Sequence, residues 1–232
     1  MPEERAPATI HLNPATEVAP RVLLPGDPHR ALAIASELLT DTRILNQRRG
    51  LWGYTGTAPD GDAVTVQSTG MGGPSAAIVA EELIALGART LVRVGTCGAL
   101  APGLELGELL AAREAIAADG ASRALGADGR VAVDAGLLAA LVGAGAREAT
   151  VVSTDLFYDP RDPDWDGAEA VEMEAAAVLQ VARRRGVRAA CLLAVTDLLY
   201  GEPRRIGEEA LTEAGLELGR VALSALAASR VR

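Results

Sequence analysis

Short apolar runs alternate with longer stretches of helical periodicity along this chain, a pattern that predicts an α/β fold. Residues 21–24 read as a first strand, stopped by Pro25 and Gly26. Pro28 then suits the first turn of a helix with Leu32, Ile34, Leu38 and Leu39 on its apolar side. Residues 64–68 alternate as a second strand and run into the turn Gly70-Met71-Gly72-Gly73-Pro74; residues 75–86 follow as a helix ended by Gly87. A buried strand over 91–94 ends in Gly95-Thr96-Cys97-Gly98. Residues 151–153, 170–185, 189–195 and 206–227 read as strand, helix, strand and long final helix. The segments 119–129 and 159–167 carry the densest turn signals and read as surface loops. No repeat or flexible linker divides the chain. The expected arrangement is one domain over 1–232, a three-layer α/β/α sandwich around a central mixed β-sheet.

Composition sharpens this picture. Hydrophobic residues make up 49% and aromatic residues only 3%, so the core must be filled by Ala, Val and Leu. No apolar run reaches the roughly 18 residues that span a bilayer, and the N-terminal residues 1–8 lack a leader-like apolar stretch. A cytoplasmic protein without a membrane partner is expected. A net charge of −9 argues against a nucleic-acid partner. Arg183, Arg184, Arg185 and Arg188 close an amphipathic segment and read as cations at a helix C-terminus. Cys97 and Cys191 are far apart in sequence, which makes neither a disulfide framework nor a thiolate metal site. All 22 Lys+Arg positions are arginine. Lysine Schiff-base and P-loop chemistry are thereby excluded, and any phosphate must be held by arginine and backbone amides.

Five polar constellations fall at strand ends, where α/β sheets bind ligands. In Gly26-Asp27-Pro28-His29-Arg30, glycine amides and a helix N-terminus favour an anion, and Arg30 projects from the first turn to clamp it. A plain turn with a surface arginine would look similar. Arg93, inside a strand of Leu and Val, needs a partner. The choice is an internal salt bridge or, with Thr96 and its flanking glycines, an oxyanion receptor. Glu172 reads as a carboxylate at a helix N-terminus, while Glu174, before three alanines, suits a pair of vicinal hydroxyls. Thr196 and Asp197 close an apolar strand; Asp197 is either a helix cap or a proton donor with a raised pKa. His11 and Arg49 stand out only in company, His11 alone reading as a surface histidine.

With these residues in place, the chain resembles the nucleoside phosphorylases, and within them the hexameric purine nucleoside phosphorylases. The likeness runs in order from His11 through L-P-G-D-P-x-R, R-G-x-x-G-Y-T-G, G-M-G-x-P-S, R-V-G-T-C-G, D-L-F-Y and V-E-M-E-A-A to Thr196-Asp197. The resemblance implies a phosphate site of Gly26, Arg30, Arg93 and Thr96, with Arg49 reaching in from a neighbouring subunit. It implies that Met173 and Glu174 hold the ribose, with Met71 and Glu172 nearby, and that a neighbour's His11 meets the 5′-hydroxyl. Phe157 and Val171 would pack on the base with Thr196 at its edge, and Asp197 would protonate a purine at N7.

The activity implied is phosphorolysis of (deoxy)ribonucleosides, catalysed by Asp197, Glu174, Arg30 and Arg93. Inorganic phosphate is the co-substrate, with no cofactor or metal. The partners implied are nucleoside, phosphate and further copies of the chain: a dimer at least, a hexamer by the family's habit. One departure is visible. The family's arginine partner for the acid falls here on a non-basic position near 210–211, which leaves Arg204 and Arg205 as stand-ins. Uridine phosphorolysis is the alternative within the family, although the pyrimidine-reading Gln is missing after Phe157-Tyr158. A silent nucleoside sensor is the alternative outside enzymes, and retention of both Glu174 and Asp197 argues against it.

Overall fold

The structure is a computed structural model describing residues 9–161, 165 and 167–229. In chain order the elements are β1 (Arg21–Leu24), α1 (Pro28–Leu38), β2 (Thr40–Asn46), a 3₁₀ turn (Arg48–Gly50), β3 (Gly53–Thr57), β4 (Ala63–Gln67) and α2 (Gly73–Ala85). Then come β5 (Thr90–Ala99), β6 (Leu109–Ala117), α3 (Gly120–Ala124), β7 (Arg130–Ala132), α4 (Ala135–Gly143) and β8 (Arg147–Ser153). The chain continues through β9 (Ala170–Glu172), α5 (Ala175–Arg185), β10 (Arg188–Leu198), β11 (Arg204–Arg205) and α6 (Glu208–Ala228).

The sheet is mixed, and the three-layer expectation holds. Strands β4, β1, β5 and β10 run parallel side by side, while β2, β3, β6, β9 and β11 bring antiparallel pairings. Helices α1, α4 and α6 bury Ile34, Leu137, Leu141, Leu218 and Ala222 against one face. Helices α2 and α5 bury Val79, Leu83, Val178 and Val181 against the other, with α3 beside them. Covered on both sides, β5 and β10 are nearly continuous apolar runs, as buried parallel strands must be. Tyr54 is the one aromatic side chain among the buried residues described, so small aliphatics do fill the core.

The sheet also curls. β5, β10, β6, β8 and β9 each pair with the next, and β9 returns to β5, closing a ring that the chain pattern does not announce. That closure explains several differences from expectation. β5 does not stop at Gly95 but runs on to Ala99, because β9 and β10 supply ladder partners for Gly98 and Ala99. Residues 170–185 are a strand followed by a helix, and a short strand precedes the final helix. The expected loop at 119–129 contains α3, with Asp119 and Ser122 fully buried where Asp119 caps the helix. The loop at 159–167 lies partly outside the described residues. On α1, Ala31 and Ala35 are buried beside Ile34, whereas Leu32 is exposed.

Candidate active site

A cavity of about 760 Å³ opens at the carboxyl ends of β1, β5 and β10. The size suits a small organic ligand. Two turns form one wall: Thr69 and Gly70 donate their N–H groups to the carbonyls of Pro25 and Gly26. A side chain at Gly26 would crowd the Gly70 carbonyl at 3.3 Å, so the approach depends on glycine.

The floor is an ion network. Arg93 is 4% exposed; its Nε lies 2.8 Å from Glu172 Oε2 and its Nη2 2.5 Å from Glu174 Oε2. Burial opposes the charge on Arg93, but Glu174 and Glu172 more than offset it and hold the pKa above the ordinary arginine value. The guanidinium folds back over Gly95, where an added Cβ would sit 2.7 Å from Cζ. Both readings of Arg93 therefore meet: it lines the cavity and is also salt-bridged within the chain.

Glu172 is the carboxylate at a helix N-terminus that the sequence suggests, although the residue itself stands in a strand and not in the helix. It ends β9, is fully buried, and accepts from Ser153 Oγ and from the backbone N–H groups of Glu174 (2.8 Å) and Ala175 (2.9 Å). Those amides are unpaired donors at the start of α5, so its carboxylate both caps that helix and anchors Arg93. Glu174 accepts from Gly72 N–H at 2.6 Å while holding Arg93. Each carboxylate oxygen has two acceptor sites, which leaves capacity for ligand hydroxyls.

Arg30 differs sharply. Its stem passes over Gly215 of α6, where an added Cβ would sit 3.5 Å from it, and its guanidinium makes no hydrogen bond or ion pair with the described residues. Burial lowers its pKa, Asp27 pulls it back up, and Arg93 adds repulsion. The hydroxyl of Thr96, in the same cavity lining, also lacks a hydrogen-bond partner among the described residues. One expected feature is overturned: the start of α1 is not an open anion site. Asp27 accepts from the N–H groups of His29 (3.0 Å) and Arg30 (3.3 Å), filling that position with its own carboxylate.

At the other end Asp197 is the penultimate residue of β10, at the carboxyl end of that strand as expected. The β5 pairing skips a residue between Val195 and Asp197, and such a bulge re-aims the next side chain. Asp197 is 22% exposed, accepts from Thr196 Oγ1 at 2.8 Å, and lies 3.4 Å from Arg205 Nε. Arg205, not Arg204, is therefore its partner. The mouth is apolar, with Phe157 66% exposed and Met71 86% exposed, and Val171 and Met173 line the wall. Tyr158 stacks edge-on against Phe157 with ring centres 5.0 Å apart.

Two expected residues are not brought in. His11 lies on the α2 side, its Nδ1 2.7 Å from Glu82, and that carboxylate also accepts the N–H groups of Ile10, His11 and Leu12. Arg49 is exposed on the 3₁₀ turn in a left-handed conformation, φ 61°. Neither lines this chain's cavity. Cys97 and Tyr158, which stand inside the R-V-G-T-C-G and D-L-F-Y motifs without an expected role, also line it, as does Leu199, which nothing local in the sequence marks.

Comparison with known proteins agrees with this geometry. The family profile of the phosphorylase superfamily matches residues 20–228. The DeoD-type purine nucleoside phosphorylase of Geobacillus kaustophilus is 37% identical over 220 residues, covering 88% of this chain and 92% of the relative. That of Clostridium beijerinckii is 38% identical over the same shares. Among solved structures, purine nucleoside phosphorylase from Toxoplasma gondii in complex with immucillin-H superposes with a TM-score of 0.82 at 26% identity, covering 91% of each chain. Uridine phosphorylase from Vibrio fischeri gives 0.79 at 28% identity, over 90% of this chain and 91% of that one. A shared fold over this span, with relatives this similar in sequence, makes the chain a member of the phosphorylase superfamily.

Proposed function

We propose that the cavity binds a purine nucleoside together with orthophosphate, and that the chain catalyses phosphorolysis to free base and (deoxy)ribose 1-phosphate. The observation that carries this reading is Arg30: a largely desolvated cation in the cavity lining whose guanidinium has no hydrogen bond or ion pair among the described residues, in a cavity also lined by Thr96, whose hydroxyl likewise has none. An uncompensated buried charge is costly unless an anion completes it. The Arg93 Nη1 group, which has no partner among the described residues, faces the same need. Glu174, ion-paired to Arg93 in the same cavity lining, accepts the sugar hydroxyls in this reading.

In this reading a lone pair on a phosphate oxygen forms the new bond to C1′ as the C1′–N9 bond breaks. The bonding electrons leave with the base, and the acid form of Asp197 delivers a proton to N7. Positioning and electrostatic stabilisation of the oxocarbenium-like carbon by the phosphate supply much of the gain. Solvent returns the proton to Asp197 between turnovers. Arg49 and His11, lying outside this chain's cavity, serve the site of a neighbouring copy, so the working unit is a homo-oligomer.

Purine is favoured over uridine because Asp197 lines the cavity, whereas Arg161, the arginine that follows Phe157-Tyr158, is engaged by Asp159 outside the cavity lining. The test is base release from inosine, adenosine and uridine with and without phosphate. Release from a purine nucleoside that requires phosphate and yields equal sugar 1-phosphate is expected. Release independent of phosphate would mean hydrolysis, and none with any nucleoside would mean a sensor.

A further inference from the structure

The β10–β11 hairpin contributes a residue that the reaction above does not use. Asp197 lies opposite Arg205 and Leu198 opposite Arg204. Directly opposed residues of an antiparallel pair share a face, so Arg205 faces the cavity side with Asp197 and Arg204 does not. Tyr200 Oη donates to the Leu104 carbonyl at 2.6 Å, and Ile206 N–H to the Thr196 carbonyl at 2.8 Å, fixing the hairpin. Arg205 uses Nε on Asp197, and its two Nη groups make no hydrogen bond to the described residues.

Resting on the purine reading, we infer that Arg205 reads the 6-position of the base and makes the site selective for 6-oxopurine nucleosides. A purine's N7 and its 6-substituent lie side by side on one edge. In a 6-oxopurine both are acceptors, while in a 6-aminopurine the second is a donor. With the Asp197 acid at N7, the group beside it along that edge meets the 6-substituent. Thr196 is committed inward, its hydroxyl shared between Asp197 and the Cys97 carbonyl. Arg205 holds the open side, and a guanidinium offers donors only. It completes a 6-oxo group and sets N–H against N–H with a 6-amino group, leaving both unsatisfied.

Arg205 is 72% exposed on a two-residue strand, so it can be replaced without disturbing the core. The experiment measures kcat/KM for inosine and adenosine at saturating phosphate in the wild type, Arg205→Ala and Arg205→Gln. The wild type should prefer inosine by about 10- to 100-fold. That ratio should fall toward unity in both variants, Gln being able to donate or accept. Equal loss on both substrates, with the ratio intact, would reduce Arg205 to a charge partner of Asp197 and overturn the inference. So would a wild type indifferent to the 6-substituent. Calorimetric binding of hypoxanthine against adenine in the presence of phosphate reads the same ratio without turnover: tighter hypoxanthine supports the assignment and equal affinity defeats it. Absence of phosphate-dependent release from every nucleoside would strike the functional reading, and the hypoxanthine–adenine ratio would still decide Arg205.

Discussion

Arg93 and Arg30 reach the same cavity by different routes, one from inside β5 and the other from the first turn of α1. Arg93 arrives ion-paired to two carboxylates fixed by the α5 N-terminus and the α2 turn, whereas Arg30 feels Asp27 and Glu174 only at longer range and makes no ion pair or hydrogen bond with the described residues. Arg93 is buried and ion-paired, Arg30 is half-buried and unpaired among the described residues, and that difference separates two jobs. A cation whose charge is already balanced by the fold holds the fold; one left unbalanced at a cavity wall awaits a ligand. Arg93 does the first and lends its remaining edge to the second, while Arg30 is committed to the second.

The largest expected effect breaks the network itself. Arg93→Ala leaves Glu172 and Glu174 buried without their cation and should lower unfolding stability by about 3–5 kcal/mol, read from the urea midpoint. A loss no greater than that of Arg30→Ala would erase the distinction. Next comes the base end, where Asp197 is partly exposed and holds no core together. Asp197→Asn should cut kcat for inosine by about 10²–10⁴-fold while leaving the phosphate requirement and the unfolding midpoint in place. A parallel rise in the phosphate requirement would show that the two ends are not separate.

Arg30→Ala should raise the phosphate concentration for half-maximal rate by about 10- to 100-fold, with stability changed by less than about 1 kcal/mol. Stability falling as far as in Arg93→Ala would give Arg30 a partner that the resting fold does not contain. The smallest effect concerns residues 10–12 ahead of β1, held on Glu82. Burial raises the Glu82 carboxyl, but the N–H groups of Leu12, His11 and Ile10 and the His11 ring outweigh it, and the net shift is downward. A carboxyl with a lowered folded pKa stabilises the fold above its unfolded value, about 4.3, and loses that contribution as pH falls through the folded value. Unfolding midpoints measured from pH 6 to pH 3 should therefore fall less steeply for Glu82→Gln than for the wild type.

How much of this the sequence discloses depends on the range of the interaction. Arg93 in an apolar strand and the Gly26–Arg30 turn are legible because a charge or a glycine breaks a local pattern. The extension of β5 through Gly95-Thr96-Cys97-Gly98 is not legible. Those residues read as a turn by local propensity, and only pairing with β9 and β10, distant in sequence, overrides it. β6 and α4 escape notice because runs such as Leu109–Ala117 and Ala135–Gly143 are rich in alanine and leucine, with no clear period. The cap role of Glu172 is legible, but its role as the anchor of Arg93 follows from β9 being a strand, which three residues inside an apparent helix cannot announce. Arg204 and Arg205 are equivalent in sequence; register against Asp197 separates them.

The central claim is that orthophosphate fills the place beside Arg30 that the fold leaves without an anion. A structure determined with phosphate and a purine nucleoside bound tests it most directly. It should show phosphate oxygens within hydrogen-bonding distance of the Arg30 guanidinium and the Thr96 hydroxyl, beneath C1′ of the sugar and on the Arg93 side. Phosphate lodged elsewhere, or Arg30 turned out to solvent with the pocket beside it empty, would contradict the account.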